Sequence, residues 1–318
     1  MKNNKLKIIF FGTPHFAEKI LEKIIAEKYH VAAVFTQPDK KAGRKRILVK
    51  SPVKIFAEKH SIPVYEPRNL RQEDVKNSLV KLQPDLIIVA AYGKILPQSI
   101  LKIPKYGAIN IHASLLPKFR GASPIQEAIL SGKSKTGVTL MLMNEKLDSG
   151  RIINQEKIAI KKNDNILSLT EKLACTAGKI LIETLPLWTS GAIKAVPQNE
   201  KEATYCRTIK KEDGKINWSE PAGKIYAKFR AYQSWPGIFT FFSQKKEKKR
   251  LKILEIEKEI NAQTGNKPGK VVKYKNKFAV QTRKGLIILH KIQLEGKKTM
   301  SADDFAKGYK NFLGSILE

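Results

Sequence analysis

The sequence of 318 residues predicts an α/β fold: a mostly parallel sheet with helices on both faces, followed by a small C-terminal β-barrel. Three observations carry this reading. Strand-like runs alternate with helical periods from Lys7 to Trp188. Pro84 to Tyr92, PDLIIVAAY, is continuously apolar, as a central parallel strand covered on both faces must be. Beyond Thr208 the alternation gives way to short strand-like segments separated by Gly, Pro, Asn and Lys.

Taken in order, Lys7 to Phe11 is a β-branched and aromatic run that ends at Gly12-Thr13-Pro14. Thr is a good N-cap and Pro suits a first helical turn, so a helix is expected there, with Ile20, Leu21, Ile24 and Ile25 as its apolar face. His30 to Thr36 completes a β-α-β unit, hence a Rossmann-like parallel sheet with a right-handed crossover. No Gly-x-Gly-x-x-Gly follows the first strand, which argues against a nicotinamide dehydrogenase. Gln37 to Lys50 has no regular period and carries Lys40, Lys41, Arg44, Lys45, Arg46 and Lys50. It reads as an inserted basic loop, either a solvated charge run or a hook for a phosphate backbone. Ser51-Pro52 caps a helix to His60, and Arg71 to Gln83 forms another.

Gly107 to His112 is the next strand, and side chains two apart on a strand share a face. Asn110 and His112 therefore project together, an amide and an imidazole that can polarise a carbonyl and move a proton. The turn Ser114-Leu115-Leu116-Pro117 is apolar for a loop, and its leucines are read as exposed beside a pocket for something flat and partly apolar. A helix from Pro124, strands at Gly137–Met143 and 151–160, and a helix over 166–188 close this half. Gly12-Thr13, Tyr92-Gly93 and Asn110/His112 all fall at the carboxyl ends of strands, where open α/β sheets bind ligands.

The expected division is 1–189 as one domain, 190–208 as a linker and 209–318 as an OB-like barrel with one helix, Ala222 to Tyr232. From Lys201 onward the chain has 27 basic and 12 acidic residues. Tyr226, Tyr232, Trp235 and Phe239 lie among those lysines, the composition of a nucleic-acid platform. The whole chain carries +31, which favours a polyanionic partner, although its excess of lysine over arginine also fits a compositional bias. No apolar run reaches the roughly 20 residues that span a bilayer. The two cysteines, Cys175 and Cys206, have no metal-ligand spacing and are expected as free thiols in a reducing cytoplasm.

With these residues assembled, the chain resembles the methionyl-tRNA formyltransferases, within the wider group of 10-formyltetrahydrofolate-dependent formyltransferases. The likeness covers nearly the whole length. It rests on FFGTPHFA (10–17), FTQPDKKAGR (35–44), SPVK (51–54), AAYGKILP (90–97), INIHASLLPKFRGASPIQ (109–126), TGVTLM (136–141), LDSG (147–150), SWPG (234–237) and GKKTMSADDF (296–305). Lys45 stands where the family often has a second glycine, a departure that implies a loop either stiffer or more strongly basic.

The resemblance implies transfer of a formyl group from 10-formyltetrahydrofolate to the α-amine of methionyl initiator tRNA, in support of translation initiation. It maps the catalytic residues onto Asn110, His112 and Asp148 and lays the folate across Ser114, Leu115, Leu116 and Pro117. Arg44, Lys45 and Arg46 are expected to bind tRNA at its acceptor end, with the barrel holding the stem. No metal is implied, and the protein is expected to act as a cytoplasmic monomer. A formyltransferase acting on an amino sugar nucleotide would share the three catalytic residues and the Leu-Leu-Pro turn, but has no need of the basic insertion. A folate-dependent hydrolase and an inert tRNA-binding protein are the remaining alternatives.

Overall fold

The computed structural model describes residues 6–42, 47–244 and 247–318. The chain folds as two compact units, one of residues 1–124, 135–159 and 169–207, the other of 125–134, 160–168 and 208–318.

The first unit is built on a seven-stranded sheet. In chain order its elements begin with β1 (Lys7–Gly12), α1 (His15–Ala26), β2 (His30–Phe35), β3 (Lys40–Ala42), β4 (Ile47–Val49), α2 (Pro52–Lys59) and β5 (Val64–Tyr65). They continue through α3 (Glu73–Leu82), β6 (Leu86–Ala90), α4 (Gln98–Leu101), β7 (Ala108–His112) and β8 (Arg120–Gly121). Then follow β9 (Lys135–Leu142), β10 (Ile152–Ala159), most of α6 (Ile166–Thr189) and β11 (Tyr205–Cys206), while α5 (Pro124–Leu130) falls almost wholly in the second unit. The sheet order is β10-β9-β7-β6-β1-β2-β5, parallel from β7 to β5 and antiparallel at β9 and β10. Strand order reverses between β1 and β6, so a crevice forms at their carboxyl ends.

All five residues of β6 are buried, as its unbroken apolar run requires. Phe11, on β1, stacks on Phe35 at 4.6 Å and meets Tyr92 edge-on at 5.1 Å, filling the core on one face. Ser51 caps α2 by accepting the Lys54 N–H.

Two expectations are corrected here. Thr13 does not cap α1; Pro14 holds that position. The Thr13 hydroxyl instead donates to the Tyr92 carbonyl at 3.1 Å, a long-range bond that a local pattern cannot reveal. The described residues of 37–50 are not an irregular loop, because β3 and β4 pair antiparallel with Lys40 opposite Val49 and Lys41 opposite Leu48. The second of these strands leaves Ile47, Leu48 and Val49 exposed. Arg44, Lys45 and Arg46 lie outside the described residues.

Residues 190–208 have the composition of a linker. Their backbone is bonded into the first unit: Val196 bridges Ile152, and β11 runs parallel to β8.

The second unit is antiparallel, with α7 (Ala222–Tyr232), β12 (Ile238–Gln244), β13 (Glu247–Glu259), β14 (Val271–Tyr274), β15 (Lys277–Gln281), β16 (Leu286–Leu294), β17 (Met300–Ser301) and α8 (Ala302–Gly308). The order β12-β13-β16-β15-β14 gives a curled half-barrel with two edges. The final residues bond to both edges. Phe241 and Glu318 exchange N–H···O bonds of 2.9 and 3.1 Å, while the Val271 N–H reaches the Ser315 carbonyl at 2.9 Å. An edge of unpaired backbone groups is thereby covered. Lys215 to Trp218, one of the strand-like segments beyond Thr208, joins no sheet and forms an isolated bridge from Lys215 to Phe239. Phe242, Phe305 and Phe312 pack edge-on in the core. Of the aromatics read as a surface platform, Tyr232 and Phe239 are buried, Tyr226 is half-buried and Trp235 is exposed. Among the described residues no helix is long and apolar enough to cross a membrane.

Candidate active site

β7 carries Asn110 and His112 to the carboxyl edge of the sheet, and the loop from β9 to β10 carries Asp148 to meet them. Asn110 Nδ2 donates to Asp148 Oδ1 at 3.3 Å, and the Gly121 backbone N–H donates to Asp148 Oδ2 at 2.8 Å. His112 Nδ1 lies 3.7 Å from the same Oδ2, just beyond hydrogen-bond length. His112 Nε2 is 2.9 Å from the Phe119 carbonyl, which only accepts, so Nε2 carries a proton and Nδ1 is turned to the carboxylate. Both the His112 and Asp148 side chains are largely removed from solvent, at 7% and 11% exposure. The three residues expected to act together thus do meet.

The local sequence explains the loop. Asn144 Oδ1 accepts the Lys146 N–H and the Ser149 hydroxyl, folding the chain back on itself. Gly150 then passes so close to the Leu142 carbonyl that a Cβ would overlap it. Asp148 itself has a φ of +46°.

The turn 114–117 differs from its expectation. Ser114 and Leu116 are buried, and Leu115 and Pro117 are half-buried. Thr139 fixes the turn from inside: its hydroxyl donates to the Ser114 carbonyl at 2.6 Å and accepts the Leu116 N–H at 3.1 Å. The Ser114 hydroxyl is spent on the Lys118 carbonyl at 2.6 Å. An apolar, β-adjacent turn packs inward wherever a strand offers it a partner, and β9 does so.

Beside Asp148 opens a cavity of about 890 Å³, bordered by Gln98, Leu101, Lys102, Met143, Lys146 and Leu147 among others. That volume is in the range of small-molecule sites. Arg120, fully buried, closes one side and pairs with Glu200 through both terminal nitrogens at 2.8 Å. Glu200 in turn raises the Arg120 pKa, and the guanidinium lowers that of Glu200. The backbone of the Tyr92 region is held by Gln37, whose Nε2 reaches the Tyr92 carbonyl at 3.1 Å. Burial pushes the Tyr92 phenol up to about 12.

Sequence reasoning missed the α4 side of the cavity and the contributions of Gln198, Glu200 and Tyr205. Their only signal was a cluster of polar side chains in a stretch without period. Neither cysteine is in a disulfide; Cys206 is buried, with its Sγ against the Arg120 carbonyl at 3.3 Å, and Cys175 is exposed. Among the described residues no group of His, Cys, Asp and Glu is arranged to hold a metal ion.

Residues 5–185 match the formyl transferase profile and residues 208–310 match the formyl transferase C-terminal domain. The chain belongs to the formyl transferase family. Within it, the chain is 45% identical over 320 residues to the methionyl-tRNA formyltransferase of Caldicellulosiruptor saccharolyticus, covering 98% of this chain and 100% of the relative. The corresponding figures for that of Bacillus velezensis are 41%, 98% and 97%, and for that of Staphylococcus aureus strain MW2 40%, 96% and 97%. The likeness read from the motifs is borne out. Formyl transferase architecture also appears in the N-formyltransferase of Helicobacter canadensis solved with folinic acid and dTDP-3-aminofucose. It aligns at TM-score 0.65 and 19% identity over 89% of this chain and 98% of that one. HypX of Aquifex aeolicus with tetrahydrofolic acid aligns at TM-score 0.66 and 16% identity, over 98% of this chain and 48% of its own.

Proposed function

We propose that this protein transfers the formyl group of 10-formyltetrahydrofolate to the α-amino group of methionyl initiator tRNA in the cytoplasm, with Asn110, His112 and Asp148 carrying the chemistry. The observation that supports these roles is the meeting of an amide, an imidazole and a carboxylate around one point at the sheet's carboxyl edge. Full-length identity of 40–45% to methionyl-tRNA formyltransferases supports the substrates.

In this reading the methionyl amine attacks the formyl carbon, and charge grows on the formyl oxygen. Asn110 Nδ2 has two N–H bonds; one is given to Asp148, and the other stabilises that oxyanion. The new C–N bond forms as the bond from carbon to N10 breaks. The amine loses a proton and N10 gains one, so the net transfer is of one proton between two nitrogens. His112 Nδ1 and Asp148 Oδ2 face each other where that proton can be passed.

The cavity beside Asp148 suits the formyl donor. Leu101, Met143 and Leu147 offer apolar surface to a flat ring, and Lys102 and Lys146 offer charge to carboxylates. Residues 114–117 border the donor through backbone and the half-buried Leu115 and Pro117, since Ser114 and Leu116 are turned to the interior. Arg44, Lys45 and Arg46 bind the acceptor end. Residues 1–189 form the catalytic domain, 190–208 the connection and 209–318 the tRNA-binding domain, where the excess of lysine attracts phosphate.

The test is incubation with 10-formyltetrahydrofolate and methionyl-tRNA, assayed for formylmethionine, beside an amino sugar nucleotide and a reaction without acceptor. Formylmethionine in the tRNA arm alone is the expected result. A formylated sugar, or release of formate with no acceptor, would contradict it.

A further inference from the structure

We propose that Gln198 is a positioning residue that holds Asp148 in the geometry needed for formyl transfer, so that the chain's catalytic loop is completed by a segment outside the sheet. Asp148 occupies the left-handed region, with φ +46°. For a residue with a Cβ that conformation costs about 1 kcal/mol or more and persists only where neighbours hold it. Gln198 Nε2 donates to the Asp148 carbonyl at 2.9 Å and to the Gly150 carbonyl at 2.7 Å, spanning the turn from both sides. Its Oε1 accepts from Arg120 Nε at 3.1 Å and Nη2 at 2.8 Å. Two donors and both lone pairs are used, which fills the side-chain amide's bonding capacity. A guanidinium only donates and carbonyls only accept, so the amide has one workable orientation.

The anchor is itself fixed. Arg120 is buried and tied to Glu200, and the next residue, Gly121, gives its N–H to Asp148 Oδ2. Residues 120 and 121 therefore grip Asp148 at both ends, its carboxylate directly and its carbonyl through Gln198. Displacing the carbonyl would turn the carboxylate away from Asn110 and His112. A glutamate at 198 has no N–H to give the two carbonyls, and an asparagine is one methylene too short to span from Arg120 to the turn.

The proposal rests on the part assigned above to Asp148, and the test separates the two. Single-turnover formylation of methionyl-tRNA is measured for the full chain, Gln198→Leu, Asp148→Asn and the double variant, with KM for tRNA and melting temperature alongside. Gln198→Leu is expected to lower the rate about 10- to 100-fold, as for a misplaced catalytic group, with KM for methionyl-tRNA changed less than about twofold. In the Asp148→Asn background it should add less than about threefold, because its effect passes through that carboxylate. An equal loss in both backgrounds, or a loss under about threefold in the wild type, would overturn the proposal. A wild-type rate in Asp148→Asn alone would instead overturn the role of Asp148. Gln198→Glu keeps an oxygen for Arg120 and replaces the two donors by an anionic oxygen that the two carbonyls cannot bond. It should repeat the loss while melting near the wild type; it replaces Gln198→Leu in the cycle if the leucine variant does not fold, and a wild-type rate in it is equally contradictory.

Discussion

Asp148 Oδ2 accepts the backbone N–H of Gly121 at 2.8 Å. The carboxylate is therefore tied to β8, which lies between the strand of His112 and α5 in the chain. Gly121 has a φ of +118°, and a Cβ there would overlap the Cys206 carbonyl. Gly121→Ala should cost about 2 kcal/mol or more and reduce formylation, read by chemical denaturation and initial rates.

Thr139 bonds the Ser114 carbonyl, the Leu116 N–H and Gln155 Nε2 at once. Thr139→Val keeps the shape and strands buried polar groups, so a loss of about 1–3 kcal/mol is expected. If the turn borders the formyl donor, KM for 10-formyltetrahydrofolate should rise more than kcat falls. Steady-state kinetics with varied donor checks this.

How much of this was legible beforehand follows from the range of each interaction. Asn110 and His112 share a strand face, which a period of two reveals. The central strand announces itself by an unbroken apolar run. The Thr13 hydroxyl could not be placed, because its partner is the Tyr92 carbonyl, 79 positions away. Gln198 and Glu200 were hidden for the same reason: their partners at 148, 150 and 120 are brought near only by the tertiary fold. The β3–β4 pair was obscured by its own charge, since lysines on one arm interrupt the alternation that marks a strand. Arms of three residues are also too short to show a period.

Lys54 joins the root of that strand pair to β5: its Nζ bonds Asp39 at 3.0 Å and Glu66 at 2.7 Å. Its side chain is only 13% exposed, and the hydrogen bond to Glu66 is foremost in raising its pKa. Lys54→Met leaves two half-buried carboxylates without their cation and should cost about 1–3 kcal/mol. Because Asp39 precedes the first basic arm, KM for methionyl-tRNA should rise while use of the folate is unchanged. Melting curves and kinetics with each substrate varied separate these effects.

His15 pairs with Glu18 at 2.7 Å and with Glu171 at 2.5 Å, joining α1 to α6. The hydrogen bond that His15 donates to Glu18 is the first cause of its raised pKa. A raised native pKa means that the protonated form stabilises the fold. The contribution is present in full below the unfolded value of about 6.5 and disappears as pH rises through the higher native value. Because His15 is half exposed, the effect should be no more than about 0.5 kcal/mol. His15→Gln should lower the melting temperature at acidic pH and leave it unchanged at alkaline pH.

The central claim is that Asn110, His112 and Asp148 act on one reacting carbon, and single-turnover transfer of formyl to methionyl-tRNA by His112→Ala tests it most directly. With circular dichroism and melting close to the wild type, the rate should fall by about 100-fold or more. A folded His112→Ala protein that transfers formyl within a few-fold of the wild-type rate would contradict it.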